Sequence, residues 1–178
     1  MYDENSLREL CAAHGFDQMG RLNMSALEFM PEVRAMCSVD KCRNYGKSWS
    51  CPPACGDIEH SFEMVNGYTF GMIVQTIGKM EDEFDYETMM STGKIHSDHF
   101  VDLMQNIKKQ YPNALGLGAG TCRICEKCTY PDAPCRFPDK MVISMEAAGL
   151  FVSRVCSLSG VPYNNGPLTI TFTSCFML

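Results

Sequence analysis

Apolar positions recur at helical spacing between Ile95 and Tyr111, where Phe100, Leu103, Met104 and Ile107 share one face before Pro112 ends the run. The closing segment alternates instead. Leu168, Ile170 and Phe172 are set against Thr169, Thr171 and Thr173, the period of a strand with one packed face and one polar face. Tyr68 to Thr76 is almost continuously apolar and rich in β-branched and aromatic side chains, which predicts a buried strand; 114–118 is a shorter strand interrupted by glycine. Further helices are predicted over 6–14, with Ser6 and Glu9 as a capping box and Gly15 as the stop, and over 31–36, opened by Pro31. Two more are predicted over 57–66, capped by Asp57, and over 144–157, striped by Ala148, Phe151, Val152 and Val155 and ended at Gly160. These elements make one α+β domain over residues 1–178. Its sheet is mixed, with about four to five strands, and carries packed helices and two cysteine-rich metal-binding loops at its edge.

The loops lie where the patterning fails. Cys122, Cys125 and Cys128 stand at C-x2-C-x2-C spacing, with Cys135 following in a Pro-rich stretch. Thiolates three residues apart converge on one centre only if the backbone coils around it, as around a cubane iron–sulphur cluster. The glycines before Cys122 permit the positive φ angles such a turn requires. A bacterial ferredoxin run has its fourth cysteine after three residues, whereas Thr129 to Pro134 intervene here, so the match is to the first three ligands. Zinc is the alternative, since C-x2-C is half of a zinc knuckle, but a third cysteine at the same interval is surplus to one knuckle. Upstream, Cys37, Cys42, Cys51 and Cys55 fall within one stretch punctuated by Gly46, Pro52, Pro53 and Gly56, an irregular loop that needs something to organise it. They form a second metal site or complete one shared with the Cys122 loop. Tyr45 and Trp49 are placed to shield it.

At 178 residues and 46% apolar composition the chain can bury a core without disulfides, so its 11 cysteines want another explanation. The N-terminus has neither a basic nor an apolar leader pattern and no apolar run approaches membrane-spanning length; a cytoplasmic, non-membrane protein with reduced thiols is expected. Fourteen methionines suit an anaerobic setting. A net charge of −6 argues against nucleic acid and anionic membranes as partners. The basic residues are nonetheless concentrated in the cysteine segments, at Lys41, Arg43, Lys47, Arg123, Lys127, Arg136 and Lys140, where cations stabilise a thiolate-bound centre.

Other chemistry is thin. Cys11, Cys156 and Cys175 read as structural thiols. His96 and His99 are expected on an exposed polar helix face, and Glu81 to Asp85 in a solvated turn. Glu146 is expected at a helix N-terminus, where a carboxylate is favoured, with proton donation near a cluster as the alternative. Tyr163 to Gly166 has the composition of a tight turn, and Gly116, Gly118 and Gly120 lack the G-K-[ST] of a phosphate loop.

Four segments resemble a known family: VRAMC-x4-CRNYGKSWSCPPACG, GAGTCRICEKCTYPDAPCRFPDKM, SMEAAGLFVSRVC and VPYNNGPLTITFTSC. They are similar to the cysteine-rich "predicted metal-binding protein" family of unknown function from anaerobic bacteria and archaea, over Val33 to the C-terminus. The resemblance implies an iron–sulphur protein with ligands at Cys37, Cys42, Cys51, Cys122, Cys125, Cys128 and Cys135, and implies no particular reaction. The expected cofactor is one [4Fe–4S] cluster held by Cys122, Cys125, Cys128 and Cys135, with room for a second. The expected role is redox, toward a partner protein or a small-molecule substrate. The alternatives are an iron–sulphur enzyme with an open cluster iron and a zinc-stabilised interaction module.

Overall fold

The last strand in the chain is the centre of the fold. In the computed structural model, which describes residues 2–178, β5 (Thr169–Met177) lies between β2 (Gly71–Lys79) and β3 (Leu115–Gly118). Beyond them β1 (Gln18–Arg21) and the two-residue β4 (Ile143–Ser144) form the edges of a five-stranded sheet, order β1-β2-β5-β3-β4. All neighbours are antiparallel except β3 and β4, which run parallel. The mixed sheet and α+β class expected from the sequence are present, together with α1 (Glu4–Ala13), α2 (Pro31–Ala35), α3 (Ile58–Val65), α4 (Tyr86–Gln110) and α5 (Val152–Leu158).

The pleat divides two cores. Met72, Val74 and Phe176 point to one side, where they pack with Leu7 and Cys11 of α1 and Phe100, Leu103, Met104 and Ile107 of α4. Ile73, Leu117, Cys175 and Met177 point to the other, against Val155 and Cys156 of α5, Val65 of α3 and Cys55 of the first cysteine loop. Cys11, Cys156 and Cys175 are fully buried, as structural thiols should be. On the far side α4 approaches closely: a Cβ on Gly93 would lie 2.9 Å from the Phe172 ring.

Several boundaries differ from the sequence reading, each for a local reason. α1 is capped by Asp3, whose carboxylate accepts from the Asn5 and Ser6 amides, so the Ser6 hydroxyl donates to that cap instead of being one. α4 starts at Tyr86 because Asp85, in the acidic run taken for a solvated turn, accepts from the Thr88 amide. The helix expected over 144–157 splits. Ser144 belongs to β4, its hydroxyl accepts from the Ala147 amide, and Gly149 takes φ +92°, so α-helix begins only at Val152. β5 keeps partly exposed threonines only at its start, Thr169 and Thr171; further along, as a central strand, it buries Thr173 and Ser174. β1 carries no apolar alternation and was not foreseen.

His96 is the largest departure. It is 1% exposed, not on a polar face, and its ring nitrogens bond the hydroxyls of Thr76 on β2 (2.9 Å) and Ser174 on β5 (2.7 Å). Burial, aided by neighbouring His99, lowers its pKa to about 3 from the ordinary 6.5. The unfolded chain binds this proton below pH 6.5 and the folded chain does not. Its contribution is therefore intact above pH 6.5 and lost as pH falls toward about 3, at roughly 1.4 kcal/mol per pH unit well inside that window. Urea midpoints for wild type and His96→Gln from pH 7.5 to 4.5 should show the variant less stable at neutral pH and the gap closing in acid.

Candidate metal centre

Both cysteine loops spring from the ends of regular elements. After α2 a 3-10 turn, Met36–Val39, carries Cys37 and ends at Asp40 in the left-handed region (φ 54°). The Asp40 carboxylate then gathers the loop, accepting from the Tyr45 amide at 2.9 Å and facing the Lys47 ammonium at 3.4 Å. Gly46, at φ +64°, donates to the Pro52 carbonyl and folds the segment back. The second loop, residues 119–142, leaves the end of β3 and returns at β4. The Thr129 hydroxyl and the Arg136 guanidinium, donating to the Pro134 and Lys127 carbonyls, hold it closed.

The loops are laid against each other. Ser50, wholly buried, accepts from the Cys122 amide at 3.0 Å and pairs with the Ser48 hydroxyl at 3.0 Å. The Trp49 indole donates to the Ala133 carbonyl at 3.0 Å and stands edge-on to Tyr130 at 4.9 Å, and the Cys51 thiol meets the Thr121 hydroxyl at 3.2 Å. Trp49 therefore packs between the two loops.

The thiols sort into two neighbourhoods. Burial pushes the Cys122 pKa up against the opposing Ile124 amide, and Cys135, Cys125 and Cys128 push it further, so all three lie within electrostatic reach of Cys122. Cys128 goes the other way. Partial burial favours its neutral form, but the backbone amides of Tyr130, Trp49 and Thr129 and the Ser48 hydroxyl face the sulphur and bring its pKa below the ordinary thiol value. In the second neighbourhood burial raises the Cys37 pKa, with like charge from Cys42, Glu146 and Cys51 adding to it and Arg34 opposing. Cys55 is joined to that group through Cys51 but does not border the same cavity. Burial raises its pKa against the Arg34 guanidinium 3.8 Å away, like charge from Cys51 adds to the rise, and with Cys135 and His60 it lines a separate cavity of about 480 Å³.

All eleven cysteines are free thiols, and no group of three or more His, Cys, Asp or Glu side chains among the described residues is gathered tightly enough to hold one metal ion. The donor chemistry nonetheless suits a metal, since sulphurs that raise one another's pKa are those a cation would relieve.

A sequence model for a family described as predicted metal-binding protein (DUF2284) matches residues 20–178. The chain belongs to this family. No curated protein and no solved structure gave a match. The matched span of this DUF2284 protein contains both cysteine loops and every strand except the start of β1.

Arg34, Glu146 and the Ser48–Ser50 pair were not singled out as parts of the cysteine sites, apart from the Glu146 alternative. Arg34 bonds the Ala147 carbonyl at 2.6 Å and also the Gly56 carbonyl, tying the first loop to the turn that bears Glu146. Its position within VRAMC, three residues before Cys37, was the available signal. The seven basic residues counted by the loops include Lys47 and Arg136, which hold loop backbone and carboxylate as described.

Ser50→Ala should leave the Cys122 amide without its acceptor inside a buried contact, costing about 1–3 kcal/mol in urea unfolding. Hydrogen exchange should become faster at Cys122 while β2 and β5 stay protected.

Proposed function

We propose that this DUF2284 protein binds a [4Fe–4S] cluster through Cys122, Cys125, Cys128 and Cys135 and serves in electron transfer. The observation that carries the reading is that one loop, closed by Thr129 and Arg136 and tied to the first loop through Ser50, keeps Cys122, Cys125, Cys128 and Cys135 together, with Cys122 in electrostatic reach of the other three. The polar surroundings that lower the Cys128 pKa suit a ligating thiolate. A further feature supports it. Cys122, Cys125, Cys128 and Cys135 are all partly exposed, which suits exchange of electrons with a partner protein.

When bound, the group supplies one-electron exchange. The chain's part is to hold and tune. Ser50 fixes the Cys122 backbone, Trp49 and Tyr130 cover one flank, and the Ser48 hydroxyl stabilises negative charge on Cys128. A cytoplasmic location fits, because reducing conditions keep the thiols available. No helix among the described residues is long and apolar enough to cross a membrane.

Protein reconstituted anaerobically should contain iron and acid-labile sulphide in equal amounts, about four of each per cluster. Cys125→Ser should lose the share held by the second loop, whereas Cys11→Ser, altered in the core, should keep its full load. Ser48→Ala should keep the cluster and shift its potential to more negative values in a redox titration. Zinc without sulphide in wild-type protein would overturn the reading.

A further inference from the structure

The first cysteine loop faces a cavity that the electron-transfer role does not use. It measures about 410 Å³, within the range of small-molecule pockets, and Cys37, Cys42 and Cys51 lie in its wall. Ser144 and Glu146, from β4 and the turn after it, also line it. Glu146 is exposed and lines the cavity, so its carboxylate stands at the open side of the recess. Met36, Leu150 and Val152 give the pocket an apolar flank, and the exposed Lys41 contributes a cation.

Only three thiols border this space. Cys55, the fourth cysteine of the loop, is turned toward Arg34 and the other cavity. A cubane completed by four cysteines has no vacancy, whereas one held by three leaves an iron open to an outside donor. Iron accepts oxygen donors, and Lys41 favours a negatively charged one.

We propose that Cys37, Cys42 and Cys51 hold a second iron–sulphur centre whose fourth position opens into this cavity, and that the cavity binds a small carboxylate with an apolar body. Its carboxylate completes the coordination, its body packs on Met36, Leu150 and Val152, and Glu146 offers a hydrogen bond to a polar group beside the carboxylate. The inference rests on iron–sulphur binding by the chain but names a different site from the Cys122 loop.

The test uses full-length protein reconstituted anaerobically, with cyanide as a probe of open iron and propionate as the competing carboxylate, followed by EPR and by iron analysis. Cyanide should alter one part of the wild-type spectrum, and propionate should suppress that change. Cys42→Ser should lose the cyanide-sensitive part and its iron, whereas Cys125→Ser should keep both. Ser153→Trp, placed at the cavity wall, should keep the iron and weaken the cyanide response about tenfold or more. Circular dichroism checks that each variant is folded, and Ser153→Trp decides the matter if Cys42→Ser is not. Full iron in Cys42→Ser, or a cyanide response unchanged in Ser153→Trp, overturns the second centre. A cyanide response that propionate leaves intact overturns the carboxylate. Iron and sulphide with no cyanide-sensitive part sink this inference and leave the Cys122 cluster standing; their complete absence sinks both.

Discussion

Sulphur atoms brought within electrostatic reach of one another cannot all ionise unless positive charge is placed among them. That constraint governs the cysteine-bearing half of this molecule. The Cys122 and Cys37 pKa values are raised by burial and then by their neighbouring thiols, so without a metal both groups stay protonated at neutral pH. A metal reverses the balance, because ligation replaces the protons and the same crowding becomes a binding site. Cys128 is the exception that orients the rest, since amides from both loops already favour its charged form.

The scaffold makes this crowding tolerable. Neither loop has regular secondary structure between its anchors, so backbone groups that a strand or helix would pair are paired across the loops through Ser50 and Trp49, and at the end of the first loop by Arg34. The anchors are rigid. β3 and β4 are parallel neighbours, so the segment joining them must leave at one end of the sheet and return at the other, and the second cysteine loop occupies that crossover. α2 delivers Cys37 to the same side of the sheet, where Cys55 belongs to the core shared with α3 and α5.

Much of this was legible from side-chain periodicity. α3 and β3 fall close to where apolar spacing and capping residues place them, because both signals are local. The misses share a cause. β5 was read as half-exposed from its alternating threonines, yet a strand's place in the sheet depends on pairings with residues a hundred positions away. His96 looked polar for the same reason. Its partners, Thr76 and Ser174, come from two strands that only the fold brings beside α4. In the site, the cysteines announced themselves by number and spacing, but Glu146 was placed on a helix that does not form there. Its nearness to Cys37 is a tertiary fact without a periodic signature.

The two thiol neighbourhoods differ in ways that bear on what each can do. The Cys122 ring lies along a surface loop, with all four sulphurs partly exposed and amide donors directed at one of them. The Cys37 group borders a half-open, largely apolar recess with Cys51 buried at its wall and Cys42 and Glu146 exposed. Thr121 and Ser50 connect them: Thr121 meets the Cys51 thiol and adjoins Cys122, whose amide is bonded to the residue preceding Cys51. Together with the Trp49 contacts to Ala133 and Tyr130, these bonds fix the two thiol neighbourhoods against each other, so a change in one loop's backbone is felt at the sulphurs of the other.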